Sequence, residues 1–115
     1  MAFAKTGKVN GDDQVYELRD NVKRFTLRDL GFVEGKTGVF SLEKSLDPTS
    51  PYNANYKFKM KVNKDLDGFR MAITTGSGLE KVNIFNNPDT QASVDQFQFI
   101  INDLIDRDVI KRQVW

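Results

Sequence analysis

The stretch Tyr56-Lys57-Phe58-Lys59-Met60-Lys61-Val62 decides the fold class of this chain. Apolar residues and lysines alternate with a period of two. Successive strand side chains point to opposite faces, so one face is apolar and the other is a row of lysines. Such a segment is a half-buried antiparallel strand with one wet face. The strand is expected over about 54–63. Lys64-Asp65-Leu66-Asp67-Gly68 then turns the chain, and Phe69-Arg70-Met71-Ala72-Ile73-Thr74 alternates again with Phe69, Met71 and Ile73 on one face.

Working outward, Thr75-Gly76-Ser77-Gly78 reads as the next turn and Val82-Asn83-Ile84-Phe85 as a last strand, closed by Asn86-Asn87-Pro88-Asp89. Upstream, Val39-Phe40-Ser41-Leu42-Glu43-Lys44 reads as a strand. Glu34-Gly35-Lys36-Thr37-Gly38 reads as a turn, and Phe25-Thr26-Leu27-Arg28 as the antiparallel partner before it. Leu46-Asp47-Pro48-Thr49-Ser50-Pro51 reads as a loop, because both prolines lack an N–H for a ladder. Residues 3–9 can form a short first strand, with Asn10-Gly11-Asp12-Asp13 as a turn signal. Val15, Leu18, Val22 and Phe25 follow helical spacing, and Asp12 or Asp13 can cap a helix over about 13–23. Val15-Tyr16 is also strand-like, so both readings of that segment stand.

The clearest helix is C-terminal. Val94, Phe97, Ile101, Leu104 and Ile105 form one stripe, with Asp95, Asn102, Asp106 and Arg107 mostly opposite. Phe99 and Ile100 widen the apolar face. Asp89 or Thr90 is the expected N-cap, and Ser93 with Gln96 matches a capping box one turn later. The tail ends in Trp115, readable as a core plug or as an exposed anchor.

The expected architecture is α+β: an antiparallel meander sheet of about five to six strands with a long C-terminal helix packed on one face. Burying the Tyr56, Phe58, Met60, Val62 set and the Phe69, Met71, Ile73 set, at roughly 1.5–3 kcal/mol for each large side chain, is the main source of stability.

Composition narrows the chemistry. The chain has 115 residues, the usual size of one domain, and its net charge is +1. The balance is not that of a globally basic nucleic-acid binder. There is no Cys and no His. Disulfides, thiolate nucleophiles and Ser-His or Cys-His pairs are therefore excluded, and zinc would have to rely on carboxylates alone. General acid–base work would fall to carboxylates, Lys or Tyr. No apolar run approaches the roughly 20 residues of a membrane span, and residues 1–7 lack an apolar leader, so a cytoplasmic protein without membrane contact is expected.

Five features qualify as candidate sites. Asn63, Asp65, Asp67 and Gly68 fit the first positions of a calcium-binding EF-hand loop, but position 12 is Thr74 and both flanks read as strands. A hairpin turn using Asp and Gly is the plainer reading, and no metal is assigned. Thr75 to Lys81 offers glycines, hydroxyls and a lysine that can cradle a phosphate, against the plainer reading of a hairpin loop. Lys57, Lys59 and Lys61, with Arg70 from the next strand, form a basic face. Residues 54–81 carry six basic and three acidic residues, while 82–108 carry one basic and five acidic, so the molecule is expected to be dipolar. A basic sheet can hold RNA phosphates or an acidic protein. RNA-reading sheets also present stacking aromatics on that face, and here the aromatics alternate to the other side. Lysines also guard sheet edges against aggregation. Phe58, Met60 and Met71 can line an interior ligand cavity between sheet and helix, or serve as ordinary core. The carboxylate pairs Asp12/Asp13, Asp65/Asp67 and Asp106/Asp108 are explained by turns and helix surfaces.

The run Phe25-Thr-Leu-Arg-Asp-Leu-Gly-Phe32, then Leu42-Glu-Lys-Ser-Leu-Asp-Pro48, then the lysine-striped strand and the Phe-rich C-terminal helix resemble a small uncharacterised family. It comprises cytosolic "domain of unknown function" proteins of lactobacilli and related low-GC Gram-positive bacteria. The resemblance spans essentially the whole chain and implies a small α+β domain with a link to amino-acid or sulfur metabolism. It carries no catalytic residues and no cofactor. The strand–helix–strands–helix order is similar to the TATA-binding-protein-like and helix-grip architectures, a likeness that does not establish function.

The leading expectation is a non-enzymatic accessory module that binds a protein or a small molecule. The second is a nucleic-acid contact through Lys57, Lys59, Lys61 and Arg70. A third is an enzyme working with Lys, Tyr or carboxylates alone. A homodimer through an unpaired sheet edge or the Trp115 tail is left open.

Overall fold

The computed structural model describes residues 3–46, 56–78, 80–85 and 90–113. It is an α+β fold of two antiparallel sheets and one main C-terminal helix. The elements are β1 (Thr6–Gly7), β2 (Tyr16–Leu18), α1 (Arg24–Asp29), β3 (Val33–Glu34), β4 (Phe40–Ser45), β5 (Tyr56–Val62), β6 (Phe69–Thr75), α2 (Gln91–Asp106) and β7 (Ile110–Arg112). One sheet has the order β3-β4-β5-β6 and the other β1-β2-β7. A single sheet of five to six strands is thus corrected to two sheets. They are stitched together at the start of β6, where Phe69 N–H donates to Ala4 O at 2.8 Å and Ala4 N–H to Phe69 O at 3.2 Å.

The lysine-striped strand and its neighbours form as their alternation dictates. Phe58, Met60 and Val62 are buried and face Ile73, Met71 and Phe69 on β6. On β4, Phe40 and Leu42 oppose Val62 and Met60. Asn63 builds the β5–β6 turn: its side-chain oxygen accepts from Asp67 N–H at 3.0 Å and Gly68 N–H at 3.1 Å, while its amide donates to Asp67 Oδ1 at 2.6 Å. α2 covers this apolar face with Phe97, Ile100, Ile101 and Leu104. The Phe97 ring lies 5.7 Å from both the Phe58 and the Phe85 centroids. Thr90 is the N-cap residue of α2, but its hydroxyl donates to Ile84 O rather than to the helix. Ser93 and Gln96 lie inside the helix, so they are not a capping box across its start. Phe99 does not widen the buried face; it is 69% exposed.

Other segments differ from their local reading. Residues 13–23 hold no helix. Tyr16–Leu18 is a strand between β1 and β7, with Glu17 opposite Lys111. Asp12 caps no helix there: its Oδ1 accepts from Gln14 N–H at 3.0 Å, an Asx turn that starts an extended segment. Phe25–Arg28 is helix rather than strand. Gly31, at φ +102, ends it. Gly31 N–H donates to Arg28 O and Phe32 N–H to Leu27 O, the two bonds of a Schellman motif. Buried Leu27 and Phe32 supply its apolar contact. The partner of β4 is therefore β3. Asp108, at φ +62, closes α2 the same way, with Val109 N–H donating to Leu104 O. Residues 82–85 form no ladder strand; the chain leaves the β6 hairpin through one bridge, Thr74 to Lys81, and Val82 N–H donates to Ile73 O at 2.9 Å. The readings placed on 47–51, 86–89 and Trp115 lie outside the described residues.

Tyr16 is 1% exposed, and burial, with the Asp12 carboxylate nearby, pushes its phenol from 10.0 up to about 12. The neutral phenol is thus favoured in the folded state. Its contribution to stability is fully present below pH 10 and is lost as pH rises through about 12. Urea denaturation across that window is expected to show a fall on the order of 2 kcal/mol that is absent in Tyr16→Phe.

Candidate functional site

The outer face of the four-stranded sheet carries the lysine row. Register places Ser41, Lys61 and Arg70 side by side across β4, β5 and β6, then Glu43, Lys59 and Ala72, then Ser45, Lys57 and Thr74. These lysines are half-buried rather than fully solvated. Glu43 draws two of them together: Lys57 Nζ is 3.1 Å from its Oε1 and Lys59 Nζ 3.7 Å from its Oε2. The Arg70 guanidinium sits 5.1 Å from the Phe3 ring centroid, a cation–π contact that supports it at the sheet surface.

The hairpin after β6 folds back over this face. Thr75 N–H donates to Glu80 O at 2.9 Å and Gly78 N–H to Thr75 O at 2.8 Å. Gly78 has φ +79, a conformation that favours glycine, and a Cβ there would stand 2.6 Å from Lys59 Nζ, so any other residue would also have to push that flexible side chain aside. Sheet and hairpin enclose a hollow of about 240 Å³ bordered by Lys59, Lys61, Arg70, Glu80 and Lys81, with Ala72 and Thr74 between them. A second depression of about 440 Å³ lies on the β4 side and shares Lys59 and Lys61 as its divide.

Two candidate sets therefore meet here. Lys59, Lys61 and Arg70 border the 240 Å³ hollow, and Met60 and Met71 border it as well. Lys57 stands one pleat away, held by Glu43. Phe58 is elsewhere, fully buried against Phe97. The Thr75–Lys81 loop contributes Gly78, Glu80 and Lys81 to the border. Two features went unread in the sequence. One is a hollow of about 130 Å³ between β4 and α2, with Lys44, Asp103 and exposed Phe99 on its rim. The other is Asp12, buried with its Oδ2 lacking a hydrogen-bond partner among the described residues. No local pattern signals either, because each needs elements distant in the chain. Among the described residues no group of three or more Asp and Glu converges on a point that could hold a metal ion, and no helix is long and apolar enough to cross a membrane.

The model of the DUF1831 family, described as "Putative amino acid metabolism", matches residues 1–111. The chain belongs to the DUF1831 family. A crystal structure of a DUF1831 protein from Lactobacillus plantarum is similar to it at 48% identity and a TM-score of 0.91, covering 98% of this chain and 99% of that one. No curated protein matches this chain. The resemblance read from the Phe25–Phe32 and Leu42–Pro48 runs is thus a family relationship across the DUF1831 domain.

Proposed function

We propose that this DUF1831 protein is a non-catalytic binding module serving amino-acid metabolism, and that the hollow between β5, β6 and the following hairpin receives its ligand. The observation that carries this reading is a concave, largely apolar surface bordered by Met60, Met71 and Ala72, with charged residues of three segments around it. Ligand sites combine concavity, apolar surface and a few placed polar groups in this way. The family description supports the metabolic setting. The non-catalytic part rests on chemistry: the chain lacks His and Cys, and the phenol of Tyr16, held protonated to about 12, is buried away from the hollow.

A melting-temperature screen against amino acids and sulfur metabolites tests the reading. A ligand present at a hundred times its Kd and specific for the folded state adds about 2.7 kcal/mol. The expected result is a dose-dependent rise that Lys59→Gln removes and Lys5→Gln, at a remote surface pair with Asp20, leaves intact. Turnover of any of these compounds, or a rise indifferent to Lys59→Gln, overturns it. Nucleic-acid contact is the second reading, favoured by the row Lys57, Lys59, Lys61 and Arg70 on one face. It requires binding that weakens steeply with salt.

A further inference from the structure

The outer edge of β6 is closed at two points and open between them. At one end Phe69 and Ala4 exchange both backbone hydrogen bonds. At the other, Val82 N–H donates to Ile73 O and Thr75 N–H to Glu80 O, each at 2.9 Å. Backbone groups of alternate strand residues point to opposite edges. Phe69, Ile73 and Thr75 direct theirs away from β5, and so does Met71, which lies between the two closures. Its N–H and C=O meet no backbone partner on that edge among the described residues. Met71 is 8% exposed. Buried backbone donors and acceptors are nearly always paired, so an open pair on such a residue calls for an occupant. A small hollow of about 90 Å³ stands at this point, bordered by Lys8, Asn10, Met71, Ala72, Ile73 and Lys81. Three consecutive β6 residues border it although their side chains alternate between faces, so what they present there is the backbone edge of the strand. Lys8 brings an exposed ammonium group to the rim.

We propose that this edge gap binds a small α-amino acid through its amino and carboxyl groups, at a site that adjoins the 240 Å³ hollow on the sheet face but does not depend on it. Met71 C=O accepts from the ammonium group and Met71 N–H donates to the carboxylate, the same exchange that an opposing strand residue would make. The Lys8 ammonium adds a positive charge for the carboxylate, and the Asn10 amide offers a further donor and acceptor. Two features select this class of ligand. An extended peptide added along β6 would run into Ala4 at one end and Val82 at the other, so a strand of a partner protein does not fit. A lone carboxylate or a lone amine satisfies only half of the Met71 pair and leaves the other half buried without a partner. The volume has room for the head group with a short side chain, which favours glycine and alanine over the large amino acids.

Amide hydrogen exchange of the full chain, followed residue by residue by NMR, tests this. Without ligand the Met71 amide is expected to exchange about tenfold faster than those of Arg70 and Ala72, which the β5 ladder protects. Glycine and alanine are expected to slow it by about tenfold and to move its resonance. Acetate and methylammonium at matched ionic strength are expected to do neither. Lys8→Gln weakens the glycine response about threefold, the scale of an exposed ion pair. Lys59→Gln, which borders the hollow and not the gap, leaves it unchanged. A Met71 amide that is as protected as its neighbours in the free protein overturns the proposal, because the chain itself then closes the gap. So does a Met71 amide that glycine and alanine leave untouched. Acetate reproducing the whole effect overturns it as well, since that marks an adventitious ion only. A glycine response that Lys59→Gln abolishes and Lys8→Gln does not places the amino acid in the hollow on the sheet face. The binding-module reading then stands and only this inference falls.

Discussion

Phe97→Ala lowers the unfolding free energy by about 3–5 kcal/mol. The side chain is fully buried on the inner stripe of α2. Its ring is tilted by 59° against Phe58 of β5 and stands nearly edge-on, at 82°, to Phe85 of the segment leaving the hairpin. Truncation removes the transfer free energy of the ring, leaves a cavity and ends both aromatic contacts, each worth about 0.5–1.5 kcal/mol beyond burial. A domain of this size has about 5–15 kcal/mol in total, so the variant is expected to keep its fold only narrowly. Chemical denaturation with an unchanged m-value reads the loss. The internal comparison is Phe99→Ala, two residues along the same helix and 69% exposed. It should cost no more than about 0.5 kcal/mol. Similar costs for the two phenylalanines would mean that α2 presents a different face to the sheets.

Gly11→Ala is expected to cost about 2–3 kcal/mol through two separable causes. Gly11 has φ +85, where a Cβ crowds its own backbone. A Cβ there would also run into the Asn83 side-chain amide. The amide oxygen is not free to swing aside without loss, because it accepts from Phe85 N–H at 2.8 Å. The methyl group must therefore displace Asn83 and break a bond worth about 1 kcal/mol. A double-mutant cycle separates the causes. On an Asn83→Ala background the clash is gone and only the backbone strain remains, so the cost of Gly11→Ala should fall to about 1–2 kcal/mol. An undiminished cost would place all of the effect in the backbone.

Segments whose pattern is set by one sheet face were legible from the chain alone. β5, β6 and β4 alternate because each buries one face, and α2 shows its stripe because one side lies on that core. β2 was ambiguous for a physical reason: Val15, Leu18 and Val22 suit a helix locally, and the partner that settles them is β7, at the other end of the chain. α1 runs against its local pattern, because Phe25-Thr26-Leu27 looks extended, yet Phe25 is 61% exposed and Leu27 is buried, as helical spacing allows and alternation does not. The signal was the following Leu30-Gly31-Phe32, a glycine stop with an apolar residue behind it. The cations of the candidate site were readable from the period of β5. The hollow was not, because it depends on the hairpin folding back over Ala72 and on which residues of β6 stand opposite the lysines.

The three-stranded sheet has a temporal consequence. Glu17 of β2 pairs with Lys111 of β7, so the ladder closes a loop that embraces nearly the whole chain. Contacts so distant in sequence are slow to form, because loop closure must precede any reward from the pairing. During synthesis the β3-β4-β5-β6 hairpins can assemble as they emerge, while β2 has no partner on its β7 side until the last strand appears. The N-terminal segment is therefore a latecomer to its own fold. A nascent chain halted before Ile110 is expected to leave the β2 edge bare, the state in which an unpaired strand is most prone to join another molecule.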